Sequence, residues 1–100
     1  MSNDKSNIKN EDSIFIYDWM VKELGLKGNE LLVYAIIYGF SQTENQFFTG
    51  TAQYLADWTN STKQSVMKNL KSLIEKGLLQ KKEKFVDEVK YVHYRAITNK

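Results

Sequence analysis

A mainly α-helical chain closed by a small β-hairpin, a winged helix-turn-helix, is the fold class that the sequence predicts. Three observations carry it. Residues 51–76 read as a short helix, a three-residue break and a longer helix. Just past Gly77 the apolar pattern changes from helical spacing to alternation. The positive charge is gathered in the half of the chain that holds the second of those helices and everything after it.

One hundred residues allow one domain with a single modest core. A hydrophobic content of 42% with 13% aromatics marks a globular chain, not a disordered one. Cysteine is absent, which excludes disulfides and thiolate metal sites, and so is proline. The net charge is only +2. Residues 1–60, however, hold four lysines against eight acids, a balance of −4, and residues 61–100 hold nine lysines and one arginine against four acids, a balance of +6. The C-terminal half therefore predicts an anionic partner.

Residues 1–13 are polar and are expected to form a flexible arm; residues 98–100 are expected to be a tail, with the folded domain over 14–97. The arm lacks the apolar core and cleavage site of a signal peptide. Residues 14–24 place Ile16, Trp19, Met20 and Leu24 at helical spacing, although Ile14 to Ile16 could equally start extended. Gly25 and Gly28 punctuate the chain before a helix capped at Gly28 or Asn29. Leu31, Leu32, Ala35, Ile36 and Gly39 form one face of it, and Tyr34, Ile37 and Tyr38 widen the apolar surface. A helix apolar nearly all round is a central one. Its run from Leu31 to Phe40 is half of the roughly twenty residues that span a bilayer, so no membrane segment is predicted and a cytoplasmic location is expected. Residues 41–45 form a polar loop, and 46–48 a very short strand.

Thr51 is placed to cap the short helix, whose inward pair is Leu55 and Ala56. Thr59, Asn60 and Ser61 break it, with Asn60 the residue that best tolerates the left-handed turn between two crossed helices. Thr62 then caps the second helix, Val66, Leu70, Leu73 and Ile74 make its buried stripe, and Gly77 stops it. Leu78 and Leu79 lead into an extended run that turns at Asp87-Glu88. It returns with Val92, Tyr94 and Ala96 alternating against Tyr91, His93 and Arg95. Asp-Glu is a weak two-residue turn, so a longer loop is expected. A hairpin directly after such a helix is a wing.

Residues 17–42 and 48–79, above all LGLKGNELLVYAIIYGFSQ and LADWTNSTKQSV, resemble the N-terminal winged-helix domain of phage and Firmicutes replication proteins. That group includes replisome organisers, DnaD-like primosome proteins and plasmid-type replication initiators, and the resemblance covers about residues 14–97. It implies a DNA-binding module of a replication initiation protein. Possible companions are a helicase loader or primase, and the DnaD-like members imply self-association. Members of the group often carry a second, C-terminal domain, so the chain is expected to be a truncated piece or a short stand-alone relative. A transcription regulator with the same fold is the alternative, and an oligomerisation scaffold of a primosome the alternative of a different class.

In a winged helix on duplex DNA the opening of the second helix enters the major groove. Ser61, Thr62, Lys63, Gln64 and Ser65 lie at that opening, and Lys68 and Lys71 continue along the outer side. Gln64 can pair with an adenine edge, Lys63 can reach guanine or phosphate, and Thr62 with the first amides suits a phosphate. Lys81, Lys82 and Lys84 in the wing would meet backbone or minor groove. The bland alternative is a solvated lysine-rich surface. Arg95 is the sole arginine, so modest, phosphate-dominated affinity is expected. The aromatics exceed what so small a core can hold, which predicts a surface patch and a homodimer or oligomer, with Trp19, Tyr38 and Trp58 in core or interface. No metal or cofactor is expected, because His93 has no companion ligands at useful spacing and Gly25 and Gly28 are too sparse for a phosphate loop. No nucleophile has a base beside it in sequence, and an enzyme is not expected.

Overall fold

Each helix of the central motif starts on a threonine. In the computed structural model, which describes residues 13–43 and 46–98, the order is α1 (Asp18–Lys22), α2 (Gly28–Gly39), α3 (Ala52–Thr59), α4 (Lys63–Glu75), β1 (Leu79–Val86) and β2 (Val89–Ala96). Thr51 Oγ1 accepts the Tyr54 amide and Thr62 Oγ1 the Ser65 amide, each at 3.1 Å. A cap of this kind contributes about 1 kcal/mol. Both helices also end alike. Asn60 sits in the left-handed region (φ 52, ψ 48), and the amides of Asn60 and Ser61 return to the carbonyls of Asp57 and Ala56. Gly77 (φ 77) does the same for α4, with Gly77 and Leu78 amides on Ile74 and Leu73. These are paired Schellman closures, and Asn60 does for the tight turn what glycine does at the wing.

Val66, Leu70 and Leu73 of α4 are buried, with Ile74 half-buried beside them. They pack on α2, the central helix, which touches α1, α3, α4 and β2. Its innermost residues are Val33, Tyr34 and Ile37, each fully buried, while Leu31 and Leu32 are half-buried and Gly39 is exposed. The expected face is thus rotated, because neighbours surround the helix and no single stripe defines its inside. The helix also opens one residue earlier than expected. The Lys27 carbonyl accepts the first bond, from the Leu31 amide, and no side chain caps it. Residues 14–17 are outside any helix, and Ile16 is exposed while Met20 is buried. Leu26, which the helical spacing passed over, is also buried. The expected arm and tail lie outside the described residues except for Ser13 and Thr98. Among the described residues no helix is long and apolar enough to cross a membrane.

The expected strand at 46–48 shrinks to one residue. Phe48 exchanges both backbone hydrogen bonds with Tyr94 (2.6 and 3.0 Å), giving the wing a one-residue third strand. Further links tie the end of β2 to α2: Ser41 Oγ donates to Ile37 O and accepts the Ala96 amide, and the Tyr34 hydroxyl donates to Ile97 O. Burial, with the Tyr38 phenol nearby, pushes the Tyr34 hydroxyl up to about 12, so it remains a neutral donor. At the other end of α2, Glu30 accepts Ser72 Oγ at 2.6 Å and Lys76 Nζ at 3.0 Å. Burial pushes the Glu30 carboxyl up, but the Ser72 and Lys76 hydrogen bonds and the Lys76 charge outweigh it, and the net shift is downward. This tie therefore stabilises the fold above the ordinary carboxylate range and is lost as pH falls through the lowered value.

Strands β1 and β2 pair antiparallel from Leu79↔Ala96 to Val86↔Val89, so the loop between them is only Asp87-Glu88. A longer loop was expected from the turn chemistry. Both residues instead take positive φ (51 and 69), the type I′ geometry whose twist matches the strands. Non-glycine residues hold that geometry at a cost of roughly 1–2 kcal/mol each. Replacing Asp87-Glu88 by Asn-Gly is expected to raise the urea midpoint, by a stability gain of about 1 kcal/mol. An unchanged or lower midpoint would contradict the turn assignment.

Candidate nucleic-acid interface

The buried stripe of α4 fixes what its other side presents. Gln64, Lys68, Lys71 and Glu75 follow one another at spacings of four, three and four and are all exposed, with Lys63 and Met67 exposed beside them. Lys63, Lys68 and Lys71 enter none of the ion pairs found among the described residues, so their charges face solvent uncompensated. Glu75 ends the row with the opposite sign. Lys76, next in sequence, is held by Glu30.

The hydroxyls at the helix opening are occupied within the fold. Ser61 Oγ shares a 2.6 Å hydrogen bond with Thr59 Oγ1, and Thr62 Oγ1 both caps the Ser65 amide and donates to Ser65 Oγ at 3.2 Å. Ser61, Thr62 and Ser65 thus shape the turn and start the helix. The amides of Lys63 and Gln64, in the first turn of α4, are left facing outward as any helix start leaves them.

Alternation along β1 divides the wing lysines. Lys81 shares a face with Glu83, Val92 and Tyr94, whereas Lys82 and Lys84 share the other with His93 and Tyr91. Glu83 bridges Lys81 (3.4 Å) and Lys90 (3.2 Å). Hydrogen bonding from Lys90 and its charge, and then hydrogen bonding from Lys81, hold the Glu83 carboxyl below its usual value, so it offsets both lysines at neutral pH. Lys82 Nζ lies 5.5 Å from the Phe47 ring centre, which props it beside the loop that leads into α3. Lys84 has no ion pair among those found. Of the lysines on α4 and the wing, those left to an external anion are thus Lys63, Lys68, Lys71, Lys82 and Lys84.

Arg95 is committed elsewhere. Its guanidinium donates to the carbonyls of Thr43 and Gln46, at 2.8 and 2.6 Å, and fastens the loop between α2 and α3 to β2. Sequence reasoning saw its solitude but not this clamp, which depends on a contact across about fifty residues. It also passed over Met67, although a helical projection alone puts that residue beside Gln64 and Lys71.

A second surface takes no residue from α4 or the hairpin. Ile14, Phe15 and Tyr17, the C-terminal half of α2 and the Tyr54–Trp58 side of α3 enclose an apolar groove of about 490 Å³. Phe15 and Tyr17 are exposed there, and Tyr38 and Trp58 half-buried.

Among curated proteins the chain has no significant match. A family model described as a helix-turn-helix domain matches residues 24–79, from the approach to α2 through α4 to the first residue of β1. More than half of the chain is covered, including both capped helices, the Asn60 turn and the exposed face of α4. The chain belongs to this helix-turn-helix domain family.

Proposed function

We propose that the domain is a binding module, not an enzyme, that docks α4 in the major groove of double-stranded DNA within a phage- or plasmid-type replication initiation protein. The observation that carries the DNA reading is the uncompensated row Lys63, Lys68 and Lys71 on the exposed side of a helix held by a tight turn. Lys82 and Lys84 extend the positive surface onto the wing, and Gln64, among the α4 lysines, is the base-reading candidate. The replication reading is supported by the resemblance of residues 17–42 and 48–79 to replisome organisers and DnaD-like proteins. A regulatory role in transcription would use the same surface. A helicase loader or primase encoded beside the gene favours replication, and a regulated operon favours transcription.

Five phosphate-directed lysines predict a slope of log affinity against log salt of roughly −4 to −5. Fluorescence anisotropy on a labelled duplex over a salt series measures it. Binding that ignores salt, or no binding to duplex or single-stranded DNA, ends this reading. The aromatic groove favours a second role, self-association, which sizing of a Trp19→Ala variant tests. Trp19 stacks edge-on against Tyr34 and Tyr38 behind the groove, and an unchanged elution volume argues against it.

A further inference from the structure

We propose that the DNA site read by α4 contains an A·T pair, with Gln64 on the adenine edge and Met67 against the thymine methyl group. This rests on α4 being the groove helix. The exposed side of α4 offers few groups able to tell bases apart. Ser61, Thr62 and Ser65 spend their hydroxyls on one another, on Thr59 and on the cap. Ser72 is bound to Glu30. Arg95, the sole arginine and the best reader of guanine, is clamped to Thr43 and Gln46. Lys63, Lys68 and Lys71 are compact, mobile charges suited to phosphate. Asn69 is half-buried and outside the exposed row, and Glu75 closes the far end of that row, so Gln64 and Met67 remain at its opening.

Met67 is 50% exposed on a helix whose apolar stripe, Val66, Leu70 and Leu73, is buried without it. It stands three residues after Gln64, so the two side chains are neighbours on the helix surface. A glutamine amide matches adenine N6 and N7 with two hydrogen bonds. The only apolar feature in the major groove is the C5-methyl of thymine, and a thioether is a soft, adaptable surface to lay against it. Together they favour A·T over G·C at one pair or at adjacent ones, with lysines on either side supplying phosphate contacts.

The test selects duplexes from a randomised library with the full chain, then replaces each thymine of the recovered site by deoxyuridine, which removes only the methyl. The expected result is a site containing A·T in which one such replacement weakens wild-type binding about three- to five-fold. Met67→Ala should bind both duplexes equally, Met67→Leu should keep the difference, and Gln64→Ala should relax the preference for adenine. Salt-sensitive binding with equal affinity for thymine and uracil duplexes overturns the inference and leaves DNA binding standing. Recovery of sites without a common A·T position does the same. Absence of salt-sensitive binding overturns both.

Discussion

Phe48→Ala is expected to lower stability by about 3–5 kcal/mol, a large share of the 5–15 kcal/mol that holds a typical domain together. Phe48 is 1% exposed, and its ring lies 5.3 Å from Phe40 and 5.7 Å from Tyr54. Among the described residues its backbone makes the one β-bridge between the segment before α3 and β2. Truncation would open a cavity where α2, α3 and the wing meet, and the paired backbone limits how far the site can close. Gly50 presses on the same ring: a Cβ there would stand 2.5 Å from Phe48 Cζ. Gly50→Ala should therefore cost about 1–3 kcal/mol by overpacking. In a Phe48→Ala background that cost should vanish, because the obstructing ring is gone. Urea unfolding followed by circular dichroism measures all three variants. Equal midpoints for wild type and Phe48→Ala, or additive losses in the double variant, would contradict this packing.

What the sequence made legible divides along the range of the interactions. Thr51, Asn60, Thr62 and Gly77 act on backbone groups within a few residues, so their chemistry alone located both helices and both stops. Alternation from Tyr91 to Ala96 likewise revealed the returning strand of the wing, whose inward face is buried toward its base. Long-range partners were hidden. Nothing local shows that Arg95 reaches Thr43 and Gln46, that Glu30 ties Ser72 and Lys76, or that Phe48 pairs with Tyr94. The hairpin loop was misjudged because strand twist overrode the weak turn chemistry of Asp87-Glu88. The row of exposed lysines on α4 was legible because an amphipathic helix declares its exposed side by the stripe it buries. Its hydroxyls were not, because Ser61 and Ser65 find partners that spacing leaves open.

Neutralising Lys68 and Lys71 together, as Lys68→Gln with Lys71→Gln, is expected to weaken duplex binding roughly 60-fold at about 0.1 M salt. The figure follows from counterion release: each phosphate contact adds about 0.9 to the salt slope, which at that concentration is roughly eight-fold in affinity. Two contacts multiply, and the slope itself should become shallower by about two. Both side chains are exposed and outside the ion pairs found, so the variant's unfolding free energy should stay within about 0.5 kcal/mol of wild type. Lys76→Gln supplies the contrast on the same helix. Lys76 is engaged by Glu30, so its loss should lower stability near neutral pH, with less effect in acid, and leave the salt slope intact. Lys82→Gln with Lys84→Gln should weaken every duplex sequence alike, since wing contacts to phosphate carry no base information. Anisotropy over a salt series, beside urea unfolding of the same samples, separates these outcomes. A Lys68/Lys71 variant that keeps both its affinity and its salt slope would show that α4 does not face the phosphates.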